Sequence, residues 1–246
     1  MGSLGLDVGG YVLAGGKSSR MGRDKALLEL AGKPLVLHAV TKLQRVCQDV
    51  HILSGNRELA EYAPLVEDLH PGCGPIGGIE AAFGHSGHEW ILLMPVDMPF
   101  FPSSILRSWV AGVAYPGFSE LRGMRVALFT VFGRPQPLFC LLHRDTAPFV
   151  RAAVSHGKYK VFPALENAGR ELSERLGLPL HRVFCNLPWG EESSVSVMVE
   201  LGSESYVEAW LMVTEAQQNA KHLWFANLNT PEEFTEAEFH VDALDT

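Results

Sequence analysis

Apolar residues in the first 115 positions follow two alternating rhythms. Tyr11-Val12-Leu13 and Trp90-Ile91-Leu92-Leu93-Met94 are short, unbroken apolar runs, and they predict strands buried on both faces. Between them, residues 35–46 carry Leu35, Ala39, Leu43 and Val46 at the spacing of one helical face, which predicts an amphipathic helix. Residues 50–53 predict a further strand, stopped by Ser54-Gly55-Asn56. A short helix over 58–62, a short strand at Leu65-Val66, a helix over 76–83 after the glycine-rich stretch 72–78, and a helix over 105–113 complete this half.

Strands that alternate with helices predict an α/β fold: a mostly parallel sheet with helices on both faces. In such sheets ligands bind beyond the carboxyl ends of the strands. The residues after Leu13, Leu53, Val66 and Met94 are therefore expected to converge on one crevice. The second half is less regular. It predicts strands at 125–132 and 137–142 joined by Gly133-Arg134-Pro135, helices at 147–156 and 161–168, a strand at 194–199, a helix at 206–218 and a last short strand at 223–226. With no internal repeat and no linker-like stretch, 1–246 reads as a single domain.

An apolar fraction of 47% can supply a sizeable core. The net charge of -8 argues against a nucleic-acid binder, which would show a basic stripe. The basic residues cluster once, at Lys17, Arg20, Arg23 and Lys25, a pattern suited to a small anionic ligand. The four cysteines are widely separated and form no CxxC pair, so zinc and thioredoxin-like chemistry have no support and reduced thiols are expected. The N-terminus lacks the charged and apolar regions of a signal peptide, and the longest apolar run, 90–96, is too short for a bilayer. A soluble cytoplasmic protein with no membrane or nucleic-acid partner is expected.

The strand at Tyr11-Val12-Leu13 runs into Ala14-Gly15-Gly16-Lys17-Ser18-Ser19-Arg20-Met21-Gly22-Arg23-Asp24-Lys25. Glycines let a backbone approach a phosphate with no Cβ in the way, and successive N–H groups then form an anion nest. Ser18 and Ser19 add hydroxyl donors, while Arg20 and Lys25 can neutralise phosphate charge. The segment is neither a Walker A loop nor GxGxxG. A solvated glycine turn would explain the two glycines by themselves, but not their combination with cations, hydroxyls and a buried strand.

Asp97 follows the strand at 90–94, where a magnesium ion would lie if the loop held a triphosphate. A turn or N-cap role before Pro99 is its plain alternative. Gly74-Pro75-Ile76-Gly77-Gly78 again permits close backbone approach and can wall a purine and its ribose, or simply open a helix. Near the C-terminus, Thr230, Pro231 and Glu233 carry the spacing of a capped helix start. Capping leaves Asn227 and Asn229 unexplained, and they are expected to project to one side of the preceding strand.

Read as LAGGxSxRMGxDKxLL from Leu13 to Leu28, the loop resembles the signature of the molybdenum cofactor guanylyltransferase family. The likeness is strong over 11–101, patchy to Leu142, and thereafter confined to Asn227-Leu228-Asn229-Thr230-Pro231-Glu232. It implies a three-layer α/β/α Rossmann-like nucleotidyltransferase fold, with a nucleotide-binding half at about 11–115 and an acceptor-binding half at about 116–246. It implies nucleotide contacts from Leu13, Ala14, Gly15, Gly16, Ser18, Ser54, Asp68 and Gly78, phosphate contacts from Lys25, and magnesium on Asp97. Asn227 and Asn229 would bind acceptor or metal, and Lys25, Arg20 and Asp97 would carry catalysis. Gln136-Pro137-Leu138 resembles a family strand start near the acceptor pocket, with Gln136 in place of the usual histidine.

The implied activity is magnesium-dependent transfer of GMP from GTP to molybdenum-molybdopterin, with molybdoenzyme apoproteins or their chaperones as further partners. Cytidylyl transfer to the same pterin, nucleotidyl transfer to a sugar phosphate, and a non-catalytic GTP or cofactor carrier stay open as alternatives. His85, His88 and Glu89 have metal-like spacing, but the sequence shows no third ligand and a surface loop is expected. Trp189, Trp210 and Trp224 are expected in the core.

Overall fold

The computed structural model describes residues 7–15, 24–114, 123–190 and 210–245. Its centre is a seven-stranded sheet. In chain order the strands are β1 (Val8–Leu13), β4 (Asp49–Leu53), β5 (Leu65–Val66), β6 (Trp90–Pro95), β7 (Val126–Val131), β8 (Arg134–His143) and β9 (Phe184–Trp189). β2 (Glu29–Leu30) and β3 (Lys33–Pro34) form a separate two-stranded ribbon. The spatial order in the sheet is β5-β4-β1-β6-β8-β7-β9, and β8 alone runs against the others. The mostly parallel α/β architecture expected from the sequence is what the structure shows.

β1 and β6 are buried on both faces, as their unbroken apolar composition requires. Val8, Val12, Leu92 and Met94 point into one core, while Tyr11, Ile91 and Leu93 point into the other. The first core is covered by α1 (Leu35–Gln44) and α3 (Ser103–Ala114). Its centre is an aromatic cluster in which Phe101, Trp109, Phe129, Phe139 and Phe225 meet at ring separations of 4.7–6.2 Å. The second core lies under α2 (Pro75–His85), α4 (Ala147–Ser155) and α5 (Val161–Leu176). Helices therefore cover both faces, in three layers.

Two short helices finish the chain, α6 (Glu215–Asn219) and α7 (Pro231–Glu238). Their segment is fastened by an ion pair between buried Lys42 of α1 and Asp245. Lys42 Nζ also donates to the Phe101 carbonyl at 2.5 Å, and Asp245 accepts from the Ser103 N–H at 3.1 Å and from Gln217 Nε2 at 3.0 Å. Lys42 Nζ and both carboxylate oxygens of Asp245 are thereby partnered, which is the condition for burying two charges without large loss.

The second half departs from expectation in five places. The β7–β8 turn is Phe132-Gly133, not Gly133-Arg134-Pro135, because both turn residues take positive φ (46° and 75°) and close a two-residue hairpin. α5 runs to Leu176 and is ended by left-handed Gly177 (φ 63°), where the sequence reading stopped at 168. β9 occupies part of the stretch that had no assignment, and Gly169 of α5 explains its fit: a Cβ there would stand 2.8 Å from the Phe184 ring. The helix expected over 206–218 is interrupted, because Thr214 caps a new turn with a reciprocal Thr214–Gln217 box. The strand expected at 223–226 is instead a 3-10 turn, Lys221–Leu223, continued by Leu223, Trp224, Phe225 and Leu228, all buried. Burial of consecutive residues serves a packed turn and does not mark alternation. The strand expected at 194–199 lies outside the described residues. Trp189 and Trp224 are buried in the core and Trp210 packs against it, as expected. Among the described residues no helix is long and apolar enough to cross a membrane.

Candidate active site

β1 connects onward to β4 on one side, and β6 pairs with it on the other, so the sheet's order reverses at the β1–β6 seam. Crevices form at such reversals, beyond the carboxyl ends of the strands. Here the strand ends are knitted together, β6 to β1 by the Val96 N–H on the Leu13 carbonyl at 3.1 Å and β1 to β4 by the Ala14 N–H on the Leu53 carbonyl at 3.3 Å. A cavity of about 550 Å³ opens over the seam. Leu13, Ala14 and Gly15 form one side of it, and Asp97, Lys25 and Asn229 contribute its charged and amide groups.

Lys25 reaches this point because Asp24 caps the 3-10 turn Lys25–Leu27. Asp24 Oδ1 accepts the Ala26 N–H at 3.0 Å, and Asp24 Oδ2 accepts Asn56 Nδ2 at 2.6 Å. Asn56 itself caps the next turn, taking the Glu58 N–H at 3.1 Å. The carboxyl end of the loop is thus pinned to the end of β4, and Lys25 projects towards β6. Its ammonium pairs with Asp97 Oδ2 and donates to Asn229 Oδ1 at 2.7 Å.

Asp97 is held from behind. Its carbonyl accepts the Leu228 N–H at 3.1 Å, which draws the asparagine segment across 131 residues of sequence onto the end of β6. Only 17% of the Asp97 side chain and 14% of the Lys25 side chain are exposed, so both charges are largely removed from water. Asp97 Oδ1 is buried and has no hydrogen-bond partner among the described residues. A buried carboxylate oxygen without a donor is costly, and a cation would satisfy it. Among the described residues no group of three or more histidine, cysteine, aspartate or glutamate side chains can hold a metal by itself. One free carboxylate oxygen does fit magnesium, which takes one or two carboxylates and completes its shell with phosphate and water.

The opposite wall comes from a large bulge in β8. Phe129 of β7 stands against four residues of β8, Gln136, Pro137, Leu138 and Phe139, because Leu128 pairs with Cys140 while Thr130 pairs with Pro135. Bulges of this kind re-aim side chains beside functional sites. All four residues line the cavity.

Of the residues singled out in the sequence, Leu13, Ala14, Gly15, Lys25, Asp97, Gln136, Pro137, Leu138, Asn227 and Asn229 meet in the cavity. Ser54, Asp68 and Gly78 do not line it, and Gly78 lies between Leu13 and Asp68. A Cβ on Gly78 would lie 3.5 Å from Leu13 Cδ2, 3.6 Å from Asp68 Oδ1 and 3.6 Å from Leu53 Cδ1. Burial raises the Asp68 carboxyl above its ordinary value. Ser54 Oγ accepts the Asn56 N–H at 3.1 Å and so supports the turn that holds Asp24. Gly16, Ser18 and Arg20 lie outside the described residues, as do Lys17, Ser19 and Arg23. Asn227 and Asn229 do not project from a strand, since their segment is irregular.

Asp24, Asn56 and the bulged pairing of β8 were missed by sequence reasoning, although Gln136, Pro137 and Leu138 were expected beside the acceptor pocket and do line the cavity. Asp24 carries an N-cap signal directly before Lys25 that was legible. The bulge has no local signature. His88, expected on a solvated loop, is instead held between carboxylates at the opposite end of the sheet, with Nδ1 2.6 Å from Asp7 and Nε2 2.9 Å from Asp49.

Comparison with known proteins agrees with this geometry. The family model of the MobA-like NTP transferase domain matches residues 10–172. A molybdenum cofactor guanylyltransferase of Vibrio atlanticus is 34% identical over 187 residues, covering 74% of this chain and 91% of that protein. A protein of Bacillus cytotoxicus named probable molybdenum cofactor guanylyltransferase is 27% identical over 236 residues, 93% of this chain and 95% of its own length. In fold, the chain is similar to the crystal structure of molybdopterin-guanine dinucleotide biosynthesis protein A from Archaeoglobus fulgidus, with a TM-score of 0.64, 22% identity, and coverage of 96% of this chain and 100% of that one. With the loop, the seam and the acidic strand end all inside the matched region, this chain belongs to the MobA-like NTP transferase family.

Proposed function

We propose that this chain transfers GMP from GTP to molybdenum-molybdopterin, forming molybdopterin guanine dinucleotide and releasing pyrophosphate, with magnesium as its metal. The observation that carries this reading is the Lys25–Asp97–Asn229 cluster at the β1–β6 seam, in which one buried carboxylate oxygen has no hydrogen-bond partner among the described residues. The relatives named molybdenum cofactor guanylyltransferase supply the choice of donor and acceptor.

In this reading the base and ribose lie along Leu13, Ala14 and Gly15, with Asp68 and Gly78 beyond, and the triphosphate faces Lys25. A phosphate oxygen of the acceptor attacks the α-phosphorus in line. The bond between the α-phosphorus and the oxygen bridging to the β-phosphate breaks, and its electron pair leaves with pyrophosphate. A phosphate monoester is already anionic at neutral pH, so no general base is needed. Catalysis then comes from positioning and from charge neutralisation by Lys25, joined by Arg20 of the loop. Asp97 would hold magnesium, which supplies charge neutralisation to the triphosphate when bound. Asn229, beside Lys25, would orient the acceptor phosphate or complete the metal's shell.

The test is pyrophosphate release from GTP, CTP, UTP and ATP, each with magnesium and molybdenum-loaded pterin. Turnover confined to GTP is expected. Turnover with CTP in place of GTP, or with a sugar phosphate as acceptor, would replace this reading with another nucleotidyl transfer. GTP binding without release would leave a carrier.

A further inference from the structure

Glu233 stands outside the cavity, yet it closes a chain of contacts that ends on the reacting groups. It is the third residue of α7, and its carboxylate completes a capping box with Thr230. An ordinary box needs one acceptor contact from this side chain, to the N-cap N–H. Here Oε2 takes two, the Thr230 N–H at 2.8 Å and the Asn229 N–H at 2.5 Å. The second contact lies beyond the helix cap and does nothing for helix termination. It fixes the peptide of the residue whose side chain enters the site.

Asn229 is consequently held at its backbone N–H and at both ends of its carboxamide. The preceding residue, Leu228, has its N–H on the Asp97 carbonyl at 3.1 Å. Its own N–H lies on Glu233. Asn229 Nδ2 donates to the Asn227 carbonyl at 3.0 Å, and Oδ1 receives Lys25 Nζ at 2.7 Å. Lys25 in turn pairs with Asp97. We infer that Glu233 is a positioning residue for the transfer reaction: through its contact with the Asn229 N–H it aims the Asn229 carboxamide, and thereby the Lys25 ammonium, at the reacting phosphates.

The inference rests on the transfer reading for its kinetic consequence, but its geometric content is independent of it. Three variants separate positioning from helix capping. Thr230→Ala removes the hydroxyl that accepts the Glu233 N–H at 3.2 Å and weakens the cap while leaving the Asn229 N–H contact intact. Glu233→Ala removes both functions. Glu233→Gln keeps an oxygen able to accept both N–H groups. Thr230→Ala and Glu233→Ala are expected to lower the melting temperature similarly. Only Glu233→Ala is expected to lower kcat, by roughly tenfold to a hundredfold for a displacement near 1 Å, with KM for GTP changed much less, and Glu233→Gln is expected to recover most of the loss. Equal kcat in Glu233→Ala and Thr230→Ala, or no recovery in Glu233→Gln, overturns the inference. Crystal structures of wild type and Glu233→Ala decide it without any turnover. The Asn229 carboxamide is expected to leave Lys25 in the variant, and an unmoved carboxamide overturns the inference. A wild-type protein that does not turn over would sink the transfer reading alone.

Discussion

The two oxygens of Asp97 have different fates, and that difference organises the site. Oδ2 is neutralised by Lys25, and Oδ1 is buried without a donor. A protein gains nothing in stability from an orphaned carboxylate oxygen, and the proposed metal role of Asp97 would account for it. Strain at single residues appears also in Phe132, which holds φ at 46° in the β7–β8 turn while its side chain is 71% exposed. A left-handed conformation costs a residue with a Cβ on the order of 1–2 kcal/mol, less for asparagine. With so little of the ring buried, Phe132→Asn is expected to stabilise the fold by about 0.5–1 kcal/mol, read by urea denaturation. An unchanged or lower midpoint would mean that the exposed ring contributes more than its surface suggests.

At the scale of elements, the nucleotide-binding half was legible and much of the other half was not. β1, β4, β5 and β6 are marked by unbroken apolar runs because a central parallel strand must be buried on both sides, and turn residues bound each run. Leu13, Ala14, Gly15, Lys25 and Asp97 could be placed together because the carboxyl ends of such strands share an edge. The asparagine segment could not be placed by periodicity. It reaches the site through one backbone contact, Leu228 N–H to the Asp97 carbonyl, between residues far apart in sequence. The β8 bulge and the close seat of Phe184 on Gly169 are likewise products of tertiary fit. Apolar residues at 223–226 misled because a buried turn and a buried strand look alike over four residues.

Across the whole molecule, one buried and two half-buried histidines stand as neutral rings. Burial holds His38, His51 and His143 below the ordinary imidazole value. His143 is neutral by its contacts as well: Nδ1 accepts the Asp145 N–H at 3.1 Å, and Nε2 donates to Glu89 at 3.0 Å. His38 Nε2 donates to the Leu30 carbonyl at 2.9 Å. In the unfolded chain these rings take up protons as pH falls through about 6.5. The folded chain resists doing so until lower pH, so the unfolded state binds more protons there and stability drops with falling pH. The melting temperature is therefore expected to be level near pH 7.5 and to decline from about pH 6.5 downward. A decline that begins only below about pH 4.5, in the carboxylate range, would show that the buried rings contribute little.

In the proposed transfer reaction, the carboxylate at the end of β6 is what makes the β1–β6 seam a site of guanylyl transfer. Single-turnover formation of the guanine dinucleotide from GTP and molybdenum-loaded pterin, compared between wild type and Asp97→Ala over a magnesium titration, tests it directly. The account predicts magnesium-dependent product in wild type and a loss of at least about a hundredfold in Asp97→Ala, with GTP-dependent chemistry not restored by excess magnesium. Product formed by Asp97→Ala at the wild-type rate, with the same magnesium dependence, would contradict it.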